Sequence, residues 1–450
     1  MKTFEFTVEN LGPIKRASFS SSHLNVLCGK NNSGKSFLIH AVYCILQRLG
    51  GYVTPTPKQE LIDKLASEGK AEFNAMEYLG DLNEKIESEM PKIVSGLPKM
   101  MSKSESVFEG CKISLNINED YSFSFVKKTP ILFKFQVSKT FKFIFEKKAN
   151  SDDCRVIIEN SAEEFPSNEE IKFVLHFALR RFVGVLFPAP VLLTAERAGV
   201  VSFATDLMSY AMSKKKEQSP VEGGIAAVEL SDHYPSAIIQ ELILQNDMRQ
   251  VREDAPFLMA DYPNATKFFN WFKEHVMDGD VVAREGKLYY LQTSNQINMP
   301  FSDASSSVKA LVSLNFFVHY MMQPGTILMI DEPELNLHPE RQRMLMRAFA
   351  RMANDFGVGI VLSTHSVTMV RELNTLLTLN SAIANNPEIM SQYGYEESEL
   401  LKEEDVSCGI VENGTIWQDP KGVSHGFSVR SFDDTNDSIS SIQSDIVKSW

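Results

Sequence analysis

Eight residues near the N-terminus have the types and spacing of a phosphate cradle. Gly29-Lys30-Asn31-Asn32-Ser33-Gly34-Lys35-Ser36 matches the P-loop pattern G-x-x-x-x-G-K-[ST] at every fixed position. Such a loop must aim its backbone N–H groups inward at phosphate oxygens. Gly29 and Gly34 permit that path, and the helix that follows adds the partial positive charge of its N-terminus. Lys35 can reach the β- and γ-phosphates of a nucleotide, and Ser36 can ligand Mg²⁺. The bland alternative is a glycine-rich turn of no function; an apolar strand before the loop and a helix after it speak against that. A second cluster lies far along the chain, Thr326-Ile-Leu-Met-Ile330-Asp331-Glu332-Pro333. An apolar strand ending in two carboxylates places them at the carboxyl edge of a sheet. Asp331 would hold Mg²⁺ through water there, and Glu332 would orient or deprotonate an attacking water. Alone, such a run is more often a strand meeting a turn; with the loop 29–36 it reads as the second half of a nucleotide site. The strand Gly359–Ser363 then delivers Thr364-His365-Ser366, which puts His365 in reach of a γ-phosphate.

These residues need an α/β frame to bring them together. Phe4–Val8 alternates like a strand, Leu11-Gly12-Pro13 marks a turn, and Leu24–Cys28 is a short apolar strand leading into the loop. Residues 36–49 are apolar nearly all round, which predicts a buried helix with Gly50-Gly51 as its stop. Residues 52–104 read as helical with breaks at Pro91 and Pro98. Strands are expected at Ile113–Asn118, Tyr121–Phe125, Phe133–Val137 and Phe141–Phe143. A helix over 168–182 and a strand at Val191–Leu193 follow, then mostly helix over 202–275 and a hairpin turned by Gly286. Helices over 304–322 and 340–355 flank the strand at Thr326–Ile330, and Asn413-Gly414 has the chemistry of a tight hairpin turn.

Composition bounds the class. A chain of 450 residues allows about three structural units. Acidic residues outnumber basic ones, 58 to 45, for a formal net charge of −13, which disfavours a surface that grips nucleic acid throughout but leaves room for a local basic stripe. Five cysteines without a Cys-x-x-Cys pair suggest neither a disulfide framework nor a zinc cluster and fit a reducing compartment. The N-terminus lacks the pattern of a signal peptide. The longest apolar stretch, Phe182–Thr194, contains Pro188 and Pro190 and falls short of the roughly 20 residues a bilayer-spanning helix needs. A cytoplasmic protein without membrane contact is expected.

The loop 29–36, the Asp-Glu-Pro at 331–333 and Ser363-Thr-His-Ser366, in this order, resemble the ATP-binding-cassette (ABC) ATPase head, in particular its soluble branch with SMC, RecF and OLD-like ATPases. Similar proteins open with a strand like Glu9-Asn10-Leu11-Gly12-Pro13-Ile14 and continue as residues 333–340 do here, Pro-Glu-Leu-Asn-Leu-His-Pro-Glu. Thr194-Ala-Glu-Arg-Ala-Gly199 looks like the Ala-Glu-Arg element of OLD-like ATPases. The resemblance spans roughly 1–50 and 190–375. It implies ATP and Mg²⁺ as cofactors, hydrolysis to ADP and phosphate, Asp331 and Ser36 at the metal, and Glu332, His365 and Lys35 in catalysis. It also implies a head-to-head pair or higher oligomer, with each ATP held between two subunits. The family signature Leu-Ser-Gly-Gly-Gln is not present; Ser305-Ser306-Ser307 stands in its place, either capping a γ-phosphate of the second copy or capping a core helix. Asn336 stands where a D-loop often has Asp, and Gln136 is the candidate for a metal-facing glutamine.

The resulting fold class is α/β: an ABC-type P-loop ATPase head with a mixed sheet, an antiparallel β subdomain, a helical subdomain and no long coiled coil. The expected division is an ATPase core from 1–50, 186–200 and 280–375, a helical and β-rich insert over 51–185, a helical subdomain over 201–279, and a C-terminal hairpin and helix over 376–450. Within the insert, Lys127, Lys128, Lys134, Lys139, Lys142, Lys147 and Lys148 interleave with phenylalanines, read as a solvated sheet face or a stripe for nucleic acid or a partner. Lys214–Lys216 reads as an exposed loop, and the acidic run Glu396–Asp405 as a solvated face or a docking site. SMC-type arms need sustained heptads, which strands interrupt here. The stretch from His365 to Trp450 shows no Asp-x-Asp cluster and is expected to be too short for an OLD-type nuclease domain. The implied protein is an ATPase subunit resembling the stand-alone subunits of Septu and PARIS anti-phage systems, with a separate nuclease or toxin as effector. A RecF-like DNA-repair ATPase is the alternative, and a transporter motor or a non-hydrolysing scaffold are further ones.

Overall fold

A computed structural model describes residues 4–20, 23–118, 127–136, 141–160, 166–187, 190–204, 234–251, 262–383 and 388–418, together with residues 124, 258 and 427. In chain order its strands are β1 (Phe4–Leu11), β2 (Ile14–Ser20), β3 (Leu24–Cys28), β4 (Lys70–Asn74), β5 (Lys112–Ile117), β6 (Ile131–Gln136), β7 (Phe141–Lys147), β8 (Asp153–Asn160), β9 (Val191–Leu193), β10 (Gly279–Arg284), β11 (Lys287–Gln292), β12 (Asn298–Pro300), β13 (Ile327–Asp331), β14 (Gly359–Thr364), β15 (Val406–Glu412) and β16 (Thr415–Gln418). The helices that matter below are α1 (Lys35–Val53), α2 (Gln59–Glu68), α3 (Leu82–Ser95), α4 (Asn168–Leu186), α5 (Ser236–Gln250), α6 (Ser306–Tyr320), α7 (Pro339–Phe356) and α8 (Val367–Ala382).

A nine-stranded mixed sheet runs in the order β5-β1-β2-β16-β15-β3-β14-β13-β9. Its central pairs β15–β3, β3–β14, β14–β13 and β13–β9 are parallel, and antiparallel pairs form the other rim. Parallel strands covered on both faces need apolar residues at odd and even positions alike, and β3, β13 and β14 supply them. Leu328 and Ile330 enter one core while Met329 enters the other; Ile360 and Leu362 are opposed by Val361, and Leu24, Val26 and Cys28 by Leu27. The core on the Met329 face holds α1, α2, α3 and α4, and the core on the Ile330 face holds α6, α7 and α8. A four-stranded antiparallel sheet, β4-β8-β7-β6, and a three-stranded one, β10-β11-β12, complete the mixed α/β fold.

Several elements depart from the sequence expectation for physical reasons. α1 runs through Gly50-Gly51 to Val53, because buried Leu46, Leu49 and Val53 continue one apolar stripe and the Thr54 hydroxyl bonds Gly50 O at 2.5 Å. Pro91 lies inside α3, whose buried Leu82, Ile86, Met90 and Ile93 hold both halves of the helix to the core. β4 lies in a stretch read as helix and pairs with β8. β5, expected with the insert, pairs with β1 in the main sheet, and the hairpin β15–β16 joins that sheet between β3 and β2. The expected strand Tyr121–Phe125 (apart from Ser124), the helical stretch 205–233 with Lys214–Lys216, and the C-terminal helix lie outside the described residues.

Candidate nucleotide site

Strands β3, β14 and β13 end at one edge of the sheet, and the residues at their ends make the site. Asp331 lies opposite Ser363, and Thr364 opposite Cys28. Alternation puts Asp331 on the Met329 face, the one that α1 covers. Ser36 Oγ donates to Asp331 Oδ1 at 3.1 Å, and the Ser363 hydroxyl donates to the same oxygen. His40, one turn further along α1, places Nε2 3.8 Å from Asp331 Oδ2. Burial pushes the His40 imidazole below its ordinary pKa, against the pull of Asp331. The sequence reading missed His40; its i,i+4 relation to Ser36 on a buried helix is the signal that would have found it.

The loop 29–36 owes its glycines to both conformation and packing. Gly29 has φ +141° and Gly34 φ +102°; a Cβ on Gly29 would lie 2.5 Å from Val411 O, and one on Gly34 2.7 Å from Ile14 Cδ1. The buried Lys35 donates from Nζ to Gly29 O at 2.9 Å and Lys30 O at 2.8 Å. Burial lowers its pKa, and the carboxylates of Glu332 and Asp331 oppose that shift. Ser33 Oγ and His365 Nδ1 are buried polar atoms without a hydrogen-bond partner among the described protein atoms. Such groups in a site favour a polar ligand.

Glu332 leaves the strand in a left-handed conformation, φ +48°. Its N–H donates to Ser363 O and Ser363 Oγ, both at 3.2 Å. His365 Nδ1 lies 3.5 Å from Glu332 Oε1 and 3.6 Å from Glu334 Oε1. Burial raises the Glu332 pKa first; His365 pulls it down, and Asp331 and Glu334 push it up. Buried Glu334 accepts from Thr364 Oγ1 at 2.7 Å and from the His365 N–H at 2.9 Å, so it anchors the backbone that carries His365. Nothing beyond its place after Asp-Glu-Pro marked Glu334 in the sequence.

The structure thus brings together residues 29–36, Asp331, Glu332 and His365. Ser305, Ser306 and Ser307 open α6, with Ser305 Oγ 2.8 Å from Ser307 Oγ and accepting the Val308 N–H at 3.4 Å. The Ser305 and Ser307 hydroxyls are engaged with each other at the start of the helix, and Ser305 and Ser306 are exposed. Gln136 lies on β6 in the four-stranded sheet, where it bonds Phe141 O at 3.3 Å, apart from the edge that carries Asp331. Asn336 adopts φ +61°.

The charged stretches singled out in the sequence acquire partners from other strands and helices in the structure. Pairing Lys134 with Ile144, Gln136 with Lys142, and Lys142 with Glu159 sets Lys134, Lys142, Arg155 and Lys70 on one face with Glu146, Glu159 and Glu72, a mixed surface instead of a basic stripe. Lys147 is buried and donates to the carbonyls of Lys127, Thr129 and Lys148. Lys139 lies outside the described residues. In the acidic run Glu399 is fully buried between Arg347 and Arg351, with N–O distances of 2.6 to 2.9 Å, so this stretch is not simply a solvated face.

Mg²⁺ fits these residues. It takes one or two protein oxygens and completes its shell with phosphates and water, and the Ser36 hydroxyl and Asp331 carboxylate already meet. Among the described residues no group of three or more His, Cys, Asp or Glu could hold a metal by itself.

Residues 200–370 match the AAA_15 family model, an AAA ATPase domain. No curated protein sequence matches the chain. Among solved structures, the chain is similar to an Smc head bound to the C-terminal winged-helix domain of ScpA, at 10% identity and TM-score 0.36 over 96% of this chain and 98% of that one. It is similar to an Smc head domain with an extended coiled coil bound to the C-terminal domain of ScpA from Pyrococcus furiosus, at 10% identity and TM-score 0.37 over 98% and 100%. An SMC head domain from Thermotoga maritima matches at 12% identity and TM-score 0.33 over 93% and 99%. Likeness at this level does not define a fold; the strand order and site geometry above do. The chain thus carries the P-loop sequence pattern at 29–36 and a match to an AAA ATPase domain over 200–370, and no helix among its described residues is long and apolar enough to cross a membrane.

Proposed function

We propose that the protein is a cytoplasmic, Mg²⁺-dependent ATPase that converts ATP and water to ADP and phosphate. The observation that supports this best is the convergence of Ser36 with Asp331 and of Glu332 with His365 at one sheet edge. In this reading the amides of 29–34 and the Lys35 ammonium hold the phosphates, while Ser36 and Asp331 hold the metal. Bound Mg²⁺ would neutralise charge on the phosphate oxygens. Glu332 accepts a proton from the attacking water, its elevated basicity suiting it to that task. His365, steadied through Glu334, would face the γ-phosphate of a bound nucleotide.

Two copies would meet head to head, each closing the other's ATP with Ser305, Ser306 and Ser307. The pair would control a separate nuclease or toxin in bacterial anti-phage defence, a role supported by the family resemblance of the motifs. Glu332→Gln should keep ATP bound and turn over at least about 100-fold more slowly; full turnover in the purified variant refutes the catalytic assignment. Captured from its host with ATP and Mg²⁺, that variant should carry a small nuclease or toxin in fixed stoichiometry. Recovery of DNA with recombination proteins instead would move the assignment to RecF-like repair.

A further inference from the structure

One fully buried cation sits behind the site and touches no position proposed for phosphate. Arg197, the first residue of the helical stretch that follows β9 and its turn, is 1% exposed. Its Nε donates to Ala310 O at 2.8 Å, Nη1 to Thr194 O at 2.9 Å and Asp331 O at 2.8 Å, and Nη2 to Glu332 O at 2.9 Å. One planar guanidinium therefore ties three elements: the turn and helical stretch after β9, the first half of α6, and the two residues where β13 ends. Four bonds to fixed carbonyls are what a rigid fork of donors can make and a lysine ammonium cannot. The same helix is held again one turn on, where Ser313 donates to the fully buried Glu241 and accepts from Gln245 Nε2 at 2.9 Å. Glu241 also supplies the largest attraction that offsets burial of the Arg197 charge.

From this geometry we infer that Arg197 is a positioning residue, coupling the serine end of α6 to the carboxylate of Glu332. Glu332 needs that support. Its φ of +48° is uncommon for a residue with a side chain, and its carbonyl is fixed from two sides, by Arg197 and by the Leu335 N–H at 3.2 Å. Movement of Ser305–Ser307 when a second copy engages them shifts Ala310, and Arg197 passes that shift to the peptide that aims Glu332. The inference rests on the ATPase reading above.

Two variants test it: Arg197→Lys, which keeps the charge and loses the fork, and Arg197→Met with Glu241→Gln, which removes both charges and leaves neither unpaired. For both, the affinity for a fluorescent ATP analogue with Mg²⁺ and KM should stay within about threefold of wild type. kcat should fall by about 100-fold, the cost of a misplaced group. Amide exchange at Glu332 and Leu335 should quicken in each variant without nucleotide. Wild-type kcat in both variants, or a loss confined to KM, overturns the inference. Unchanged exchange at Glu332 and Leu335 overturns it also, and that arm stands even if the wild-type chain hydrolyses no ATP, in which case only the ATPase reading falls.

Discussion

Glu241→Gln should make the stability of this chain less sensitive to pH. Glu241 lies on α5, fully buried, with the Ser313 hydroxyl on its carboxylate. Burial pushes its pKa from 4.5 up to about 7, against the pull of Ser313, Arg197 and Gln245. In the unfolded chain the acid ionises near its ordinary pKa; in the folded chain it keeps its proton to near neutrality. Between the two values the folded form binds more protons, so folding loses stability as pH rises through that window. Fully expressed, the shift corresponds to about 3 kcal/mol, of which about 2 kcal/mol falls between roughly pH 5 and pH 7. For a chain of this length that is about 2 °C in thermal midpoint. The assay is the difference in midpoint between variant and wild type at a series of pH values, so that all other titrating groups cancel. The variant should gain on wild type as pH rises from 5 to 7 and hold its advantage above 8. A difference that stays flat, or grows toward acid, refutes the account of a carboxylate buried at a cost.

Three further outcomes follow from the same contacts. Lys35→Ala removes the charge that spans the loop and should weaken binding of a fluorescent ATP analogue by about 10- to 100-fold, read by anisotropy. Ser306→Ala with Ser307→Ala should leave ATP binding by the single chain intact and reduce ATP-dependent dimer in sedimentation velocity, because the pair is proposed to act on the other copy's nucleotide. Glu399→Gln leaves Arg347 and Arg351 without their buried counter-charge and should cost about 3–5 kcal/mol in urea unfolding.

Local pattern carried much of the fold. The buried runs at 24–28, 191–193, 327–331 and 359–364 were readable because parallel strands covered on both faces cannot alternate with polar residues. The loop 29–36 and Asp331-Glu332 were readable because their chemistry is fixed by spacing. What local pattern could not show was which strands share a sheet. β5 looks like any strand of the insert, yet Ile117 pairs with Phe4, and the Asn413-Gly414 hairpin is wedged beside the loop strand β3. The lysine-rich hairpin does set its phenylalanines on one face and Lys134 and Lys142 on the other, but cross-strand neighbours decide a face's charge, and Glu159 and Arg155 come from β8, beyond the reach of local pattern. Arg197, Glu241 and Glu399 were illegible as buried charges, since each is tolerated only through partners distant in sequence.

The two adjacent carboxylates owe their separate environments to one backbone angle. Asp331 still belongs to β13, so the pleat turns it toward α1, Ser36 and His40. Had the strand continued, Glu332 would have pointed to the opposite face, into the core that holds Ile330 and Leu362. The left-handed turn at Glu332 brings its carboxylate beside His365 instead. That turn is uphill for a side-chain-bearing residue by about 1–3 kcal/mol. It is held by Ser363 from β14 and by Arg197 from the start of the helical stretch after β9, each bonded to main-chain atoms of residue 332. Ser363 also bonds the Asp331 carboxylate, and Arg197 also bonds the Asp331 carbonyl. The same two side chains therefore fix both the residue proposed for the metal and the residue proposed for the water. Displacing either acid from its place disturbs the support of the other, which is why Arg197 and Ser363, neither of them assigned to a phosphate, are included in the proposed site.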